Sequence, residues 1–174
     1  MFIEAANTYY SFDYASGFWK WLCEHGKKDS VGSIREVLDE IKEKDDACAE
    51  WAKGHPSFFA EKDPKSLQVY VDLTTKLYAS PRYPKQAVGK FLQDADAHLI
   101  AHAAAHGHTL VTREVVEPKR AKIKIPDVAK LMGVTCIQPW QLFRKNGLNL
   151  VQGPPRAIAG QAILPNPLSC CGGQ

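Results

Sequence analysis

The segment Asp94-Ala95-Asp96-Ala97-His98-Leu99-Ile100-Ala101-His102-Ala103, followed by Gly107 and Thr109-Leu110-Val111-Thr112-Arg113-Glu114, decides how this chain is read. The alanine-rich stretch, with Leu99, Ile100 and Ala103, predicts a helix running to His106-Gly107. Leu110-Val111 between two threonines predicts a short buried strand. A helix feeding a buried strand is the repeating unit of an α/β layered domain with a mostly parallel sheet. Ligands of such sheets sit beyond the carboxyl ends of the strands. Chemistry is therefore expected just after Thr112, and at helix starts facing the same edge.

The rest of the chain fits one domain with its own core. It has 174 residues, of which 45% are hydrophobic and 24% charged. That length can bury a core without metal or disulfide staples. No apolar run of about 18 residues occurs, so no membrane span is expected. The net charge of +3 hides a basic strip of Arg113, Lys119, Arg120, Lys122, Lys124 and Lys130. Such a strip is either a solvated arm or a phosphate-contacting surface. The five cysteines, Cys23, Cys48, Cys136, Cys170 and Cys171, are odd in number and lack CxxC spacing. Met1-Phe2-Ile3-Glu4-Ala5 shows no leader-like composition. Reduced thiols in a cytoplasmic protein are expected.

Working outward, Tyr9, Tyr10, Phe12, Tyr14, Phe18, Trp19 and Trp21 predict a packed helical segment ending near His25-Gly26, its aromatics either core or partly base-stacking. Ser33-Ile34-Arg35-Glu36 fits a capping box. The helix it opens carries Ile34, Val37, Leu38 and Ile41 on one face. A second helix is expected around Ala47–Lys53. Asp63-Pro64 reads as N-cap plus first-turn proline, opening a helix to about Tyr78. Ser80-Pro81 and Tyr83-Pro84 break it. Ile123 and Ile125 alternate with Lys122 and Lys124 as an exposed strand or arm would. Pro126-Asp127 opens a short helix closed by Gly133. Val134–Ile137 is a second buried strand, and Pro139-Trp140 starts a last helix ending at Asn146-Gly147. The domain is expected to span 1–153, with 154–174 a loose tail.

Several carboxylates stand out. On a wheel of about 100° per residue, Asp96 falls within the stripe of Leu92, Ala95, Leu99, Ile100 and Ala103, while Asp94 points to the opposite side. A carboxylate there needs a partner. Two explanations are compatible: a place in the first turn of a helix starting near Asp94, or a bound cation. Glu114 follows the strand by two residues and is either a loop acid or a site residue. Glu40 lies at the edge of its helix's apolar face, either solvated or reaching into a cleft. Asp127 is a first-turn dipole partner or a ligand. Converging carboxylates beside basic residues suit Mg²⁺ or Mn²⁺. The histidines compete with them: His98, His102 and His106 recur every four residues, with His108 beyond, a spacing that can chelate Zn²⁺ or simply flank an alanine-rich helix. Glycine loops for nucleotides and the GxSxG elbow are absent.

Asp96 before Leu99-Ile100-Ala101, with Gly107 and Val111-Thr112-Arg113-Glu114, resembles the core of PIN-domain ribonucleases. More narrowly, Phe2–Ala5 with Tyr9-Tyr10, Phe18-Trp19, Trp21-Leu22 and Lys124–Val128 look like an uncharacterised PIN-like family grouped with toxin–antitoxin nucleases. The resemblance spans about residues 1–147. It implies a three-layer α/β/α sandwich around a short parallel sheet, and Mg²⁺- or Mn²⁺-dependent hydrolysis of RNA phosphodiesters. Glu40, Asp96 and Glu114 match the family's catalytic metal-binding acids, Asp127 a further acid, and Thr112 an orienting hydroxyl. Arg113, Lys119, Arg120, Lys122 and Lys124 would contact RNA. An antitoxin protein and a second copy of the chain are the implied partners.

The departure from that family lies at the front. Its first strand ends in an Asp, and here Met1 stands just before Phe2, where that motif finishes. The first strand is therefore expected to be truncated and its Asp missing, through a misassigned start. As the sequence stands, the alternative is a catalytically impaired module that binds RNA or a partner protein. A His-rich metal-binding protein using His98, His102 and His106 is the third expectation.

Overall fold

The computed structural model describes residues 10–13, 15–44, 46–116 and 122–148. The expectations for the truncated first strand, for Lys119 and Arg120, and for the 154–174 tail with Cys170-Cys171 lie outside the described residues.

Among the described residues, the aromatics of this segment are core or pack against it. Helix α1 (Ser16–Gly26) buries Phe18, Trp19, Trp21 and Leu22. Tyr10 stacks on Phe18 at 4.4 Å between ring centroids, and Phe12 on Trp19 at 3.9 Å. The Trp19 indole N–H donates to the Tyr10 carbonyl at 2.7 Å, so the buried ring keeps its polar group satisfied.

Strand β1 (Ser33–Ile34) leads directly into α2 (Arg35–Lys42), then α3 (Ala47–Gly54), a 3₁₀ turn (Pro56–Phe58) and β2 (Phe59–Ala60). This corrects the expected capping box. Ile34 is the N-cap and no side chain caps the helix. Ser33 is buried in a parallel pair with Phe59. Glu36 faces Lys62 and His98 instead, each at 3.4 Å.

Helix α4 (Pro64–Ala79) starts as expected: Asp63 Oδ1 accepts the N–H groups of Lys65 and Ser66, both at 3.0 Å. The next helical stretch is two helices, α5 (Lys85–Gln93) and α6 (Ala95–His106), divided where Asp94 turns extended at ψ 150. Gly107, at φ +70, closes α6 in the left-handed conformation. Strand β3 (Leu110–Val111), helix α7 (Ile125–Leu131), strand β4 (Cys136–Ile137) and helix α8 (Pro139–Lys145) complete the described chain. Ile123 and Ile125 form no arm: Ile123 is buried in the core and Ile125 begins α7.

The fold is mixed α/β and mostly helical, with two small parallel pairs among the described residues. β1 pairs with β2, and β3 with β4, the latter in register Leu110↔Cys136 and Val111↔Ile137. Each crossover carries helix, as a parallel pair requires. One apolar cluster gathers α1, α2, α3, Phe58, Phe59 and Leu142, and a second gathers α4 to α7 with Leu110 and Val134. Helix α6 packs against α2, α4, α5, α7 and β1. Its two ends therefore reach different parts of the molecule.

Candidate functional site

The head of α6 collects acids from three separate parts of the chain. The first amides of a helix have no partner inside it. Glu40, on α2, takes one of them: its Oε1 accepts the Ala95 N–H at 2.9 Å. Asp96 lies in the first turn, half-buried, while Asp94 is exposed. Burial, and then the negative charges of Glu114, Glu40 and Asp94, push the Asp96 carboxyl up to about 6. The helix dipole acts in the opposite sense, and here desolvation and like charge prevail.

Glu114 is placed by the end of β3. Its N–H donates to the buried Thr112 hydroxyl oxygen at 3.1 Å, which turns the chain after the strand. Glu114 Oε2 accepts the Ile125 N–H at the start of α7 at 2.8 Å, and Oε1 accepts Lys124 Nζ at 2.9 Å. Gln138 Nε2 approaches the Glu114 carbonyl at 3.4 Å. Arg113 and Lys122 are exposed close by in sequence. Lys124 is already engaged with an acid, a contact that the alternating pattern of 122–125 did not suggest.

Asp127 belongs to another neighbourhood. Its side chain is 5% exposed, Oδ1 lies 3.4 Å from the Arg82 guanidinium, and Oδ2 is buried with no hydrogen-bond partner among the described residues. It faces Tyr83, whose hydroxyl is pushed up by burial and then by the Asp127 charge. It is not among the charges acting on Asp96.

The histidines separate. His98 stacks on Tyr70 at 4.2 Å and 5°, and its Nδ1 lies 3.4 Å from Glu36. His102 and His106 turn instead to Asp63. His106 Nε2 lies 3.1 Å from Asp63 Oδ2, and His102 Nδ1 lies 3.6 Å from the same oxygen. The Ser66 hydroxyl donates to Asp63 Oδ2 at 2.5 Å. Hydrogen bonds from Ser66 and then His106 hold the Asp63 carboxyl well below the usual range. Burial, then the His106 and His108 imidazoles, hold His102 low. Among the described residues, Asp63, His102 and His106 are the one trio whose ligand atoms lie within 4.8 Å of one another. The acids at the head of α6 stand further apart.

A thiol–imidazole pair also forms without a local sequence signal. His55 Nδ1 faces the Trp51 carbonyl at 2.7 Å, and Nε2 lies 3.1 Å from Cys23 Sγ. A carbonyl only accepts, so Nδ1 carries the proton and the Cys23 thiol donates to Nε2.

Residues 1–150 match the family described as "Domain of unknown function (DUF4411)", and the chain belongs to that family. No curated protein and no solved structure matches it. Among the described residues no helix is long and apolar enough to cross a membrane.

Proposed function

We propose that the chain is a metal-dependent endoribonuclease of the PIN type, acting in the cytoplasm as the toxin of a toxin–antitoxin pair. The observation that carries this reading is the gathering of acids at the head of α6, where Glu40 holds the Ala95 amide at 2.9 Å and burial, then the charges of Glu114 and Glu40, push the Asp96 carboxyl up to about 6. The two parallel pairs with helical crossovers are compatible with a three-layer α/β/α sandwich.

The donors are all carboxylate oxygens, which suit a hard cation, and their surplus negative charge favours one. Mg²⁺ keeps several of its waters and needs only one or two carboxylates, so an open acid cluster fits it. Glu40, Asp96 and Glu114 would hold it. Bound there, Mg²⁺ or Mn²⁺ supplies neutralisation of a phosphodiester and an activated water. The chain's own residues supply position. The Ala95 amide fixes Glu40, the Thr112 hydroxyl turns Glu114 toward the site, and Arg113 and Lys122 offer cations to the RNA backbone.

A specific contact favours the second reading, a catalytically impaired module that binds RNA or a partner protein. Each Glu114 carboxylate oxygen already has a partner, Oε1 the Lys124 ammonium and Oε2 the Ile125 amide. A lysine there does part of a cation's work. Helix α4 also leaves Leu67, Val71 and Tyr78 exposed at helical spacing, a surface for an antitoxin or a second copy.

Cleavage of a fluorescent RNA with Mn²⁺, comparing wild type with Glu40→Gln, Asp96→Asn and Glu114→Gln, tests both readings. Loss of at least about a hundredfold in rate in each variant is expected if the acids hold the ion. Binding without cleavage in wild type selects the module. Cleavage surviving Asp96→Asn rejects the site.

A further inference from the structure

We propose that Asp63, His102 and His106, joined by His108, form a transition-metal site of the Zn²⁺ type at the tail of α6, separate from the acids at its head. His102 and His106 stand one turn apart on one helix, the spacing at which two imidazoles grip one ion. The third donor comes from the start of α4. In a tetrahedral zinc site with bonds of about 2.0–2.2 Å, neighbouring donor atoms lie roughly 3.4 Å apart. The two distances from Asp63 Oδ2, 3.1 Å to His106 Nε2 and 3.6 Å to His102 Nδ1, bracket that edge.

Asp63 is also held from behind, its Oδ1 fixed by the Lys65 and Ser66 amides, while the Ser66 hydroxyl lies on the ligand side, against Asp63 Oδ2 and His102 Nδ1, where an ion would displace it. Amide partners of this kind orient a metal ligand. Gly107 turns the chain so that the His108 ring lies 5.7 Å from His102 and 5.9 Å from His106, near enough to supply a fourth imidazole. A small open cleft lined by Glu36, Asp63, Ser66, His98 and His102 gives an ion access. Imidazoles with one carboxylate select Zn²⁺, Co²⁺ or Ni²⁺ over Mg²⁺. The site would tie the first turn of α4 to the last turn of α6, two helices already packed together.

The test uses the full chain, stripped with a chelator and titrated at neutral pH with Co²⁺ and then Zn²⁺, read by visible absorption and calorimetry. One equivalent of Co²⁺ with the intense bands of tetrahedral coordination, displaced by Zn²⁺, is expected. His102→Gln and His106→Gln should each weaken Zn²⁺ binding by at least about tenfold, while His98→Gln and Asp96→Asn leave it unchanged. Circular dichroism establishes that each variant is folded. Should a histidine variant fail to fold, Asp63→Asn decides, since it keeps an oxygen to cap α4 but removes the carboxylate donor, and should weaken binding by about tenfold. No uptake at micromolar Zn²⁺, unchanged affinity in these variants, or loss on Asp96→Asn overturns the proposal. Loss on Asp96→Asn would place the ion at the acids of the proposed nuclease site instead; the other outcomes do not bear on RNA cleavage.

Discussion

Glu40 Oε1 accepts the backbone N–H of Ala95 at 2.9 Å, across 55 residues of sequence. The contact uses an amide that α6 cannot satisfy itself, and it brings a negative charge to the helix head. Asp96 sits one residue further on and bears the consequence. Its ionised form is disfavoured by burial first and then by Glu114 and Glu40.

Replacing Asp96 by Asn should stabilise the protein above pH 6. The carboxyl titrates near 6 when folded, against about 3.9 in the unfolded chain. The folded state binds the extra proton between those values, so the stabilisation is complete below about pH 4 and lost as pH rises through 6. After solvent screening, the ionised group costs about 2 kcal/mol at pH 8. Urea melts should show Asp96→Asn more stable there by about 1–2 kcal/mol, with a flatter profile from pH 4 to 6. Millimolar Mg²⁺ should raise the wild-type midpoint and leave that of the variant unmoved.

Lys124→Ala should strengthen Mn²⁺ binding. The ammonium lies 2.9 Å from Glu114 Oε1 and competes with any cation for it. Its removal leaves the acids more negative, and affinity measured by calorimetry should rise about three- to tenfold. Weaker Mn²⁺ binding in this variant would show that Lys124 does not compete.

Arg82→Ala should cost stability without touching metal binding. It strands the Asp127 carboxylate, whose side chain is 5% exposed, with no cation beside it. A loss of about 1–3 kcal/mol is expected in denaturant melts. Asp127→Asn should cost less, and Mn²⁺ affinity should stay within about twofold in both. A large loss of Mn²⁺ binding in Asp127→Asn would make this residue a ligand.

Gly26→Ala should destabilise by overpacking. A Cβ at Gly26 would stand 2.5 Å from Cδ2 of the buried Phe58 ring. The ring must move within the core, at a cost of about 1–3 kcal/mol, read as a lower urea midpoint.

What could be read from sequence was what local chemistry determines. Asp63-Pro64 announced α4 because cap and proline act within one turn. Leu110-Val111 and Cys136-Ile137 were legible as strands, although of the four residues only Leu110 is buried. Ser33-Ile34 was not, since its pairing with Phe59-Ala60 is long-range and two residues show no period. The wheel carried Leu92 and Asp96 on one helix, whereas the chain breaks at Asp94. It favoured Asp96 over Asp94, but the first-turn explanation accounts for its position. The four-residue spacing of the histidines placed them on one side. Which of them meets Asp63 depends on how α4 lies across α6, and no spacing within α6 contains that.

The break at Asp94 and the turn at Gly107 give α6 a set length, and with it a ruler. Asp96 and His102 are six positions apart, about 9 Å along the axis. Their directions around the helix differ by roughly 120°. Exchanging one alanine for another small residue between them preserves both values. Adding or removing a single residue would swing one end by about 100° relative to the other. This stretch should therefore tolerate changes of letter far better than changes of length.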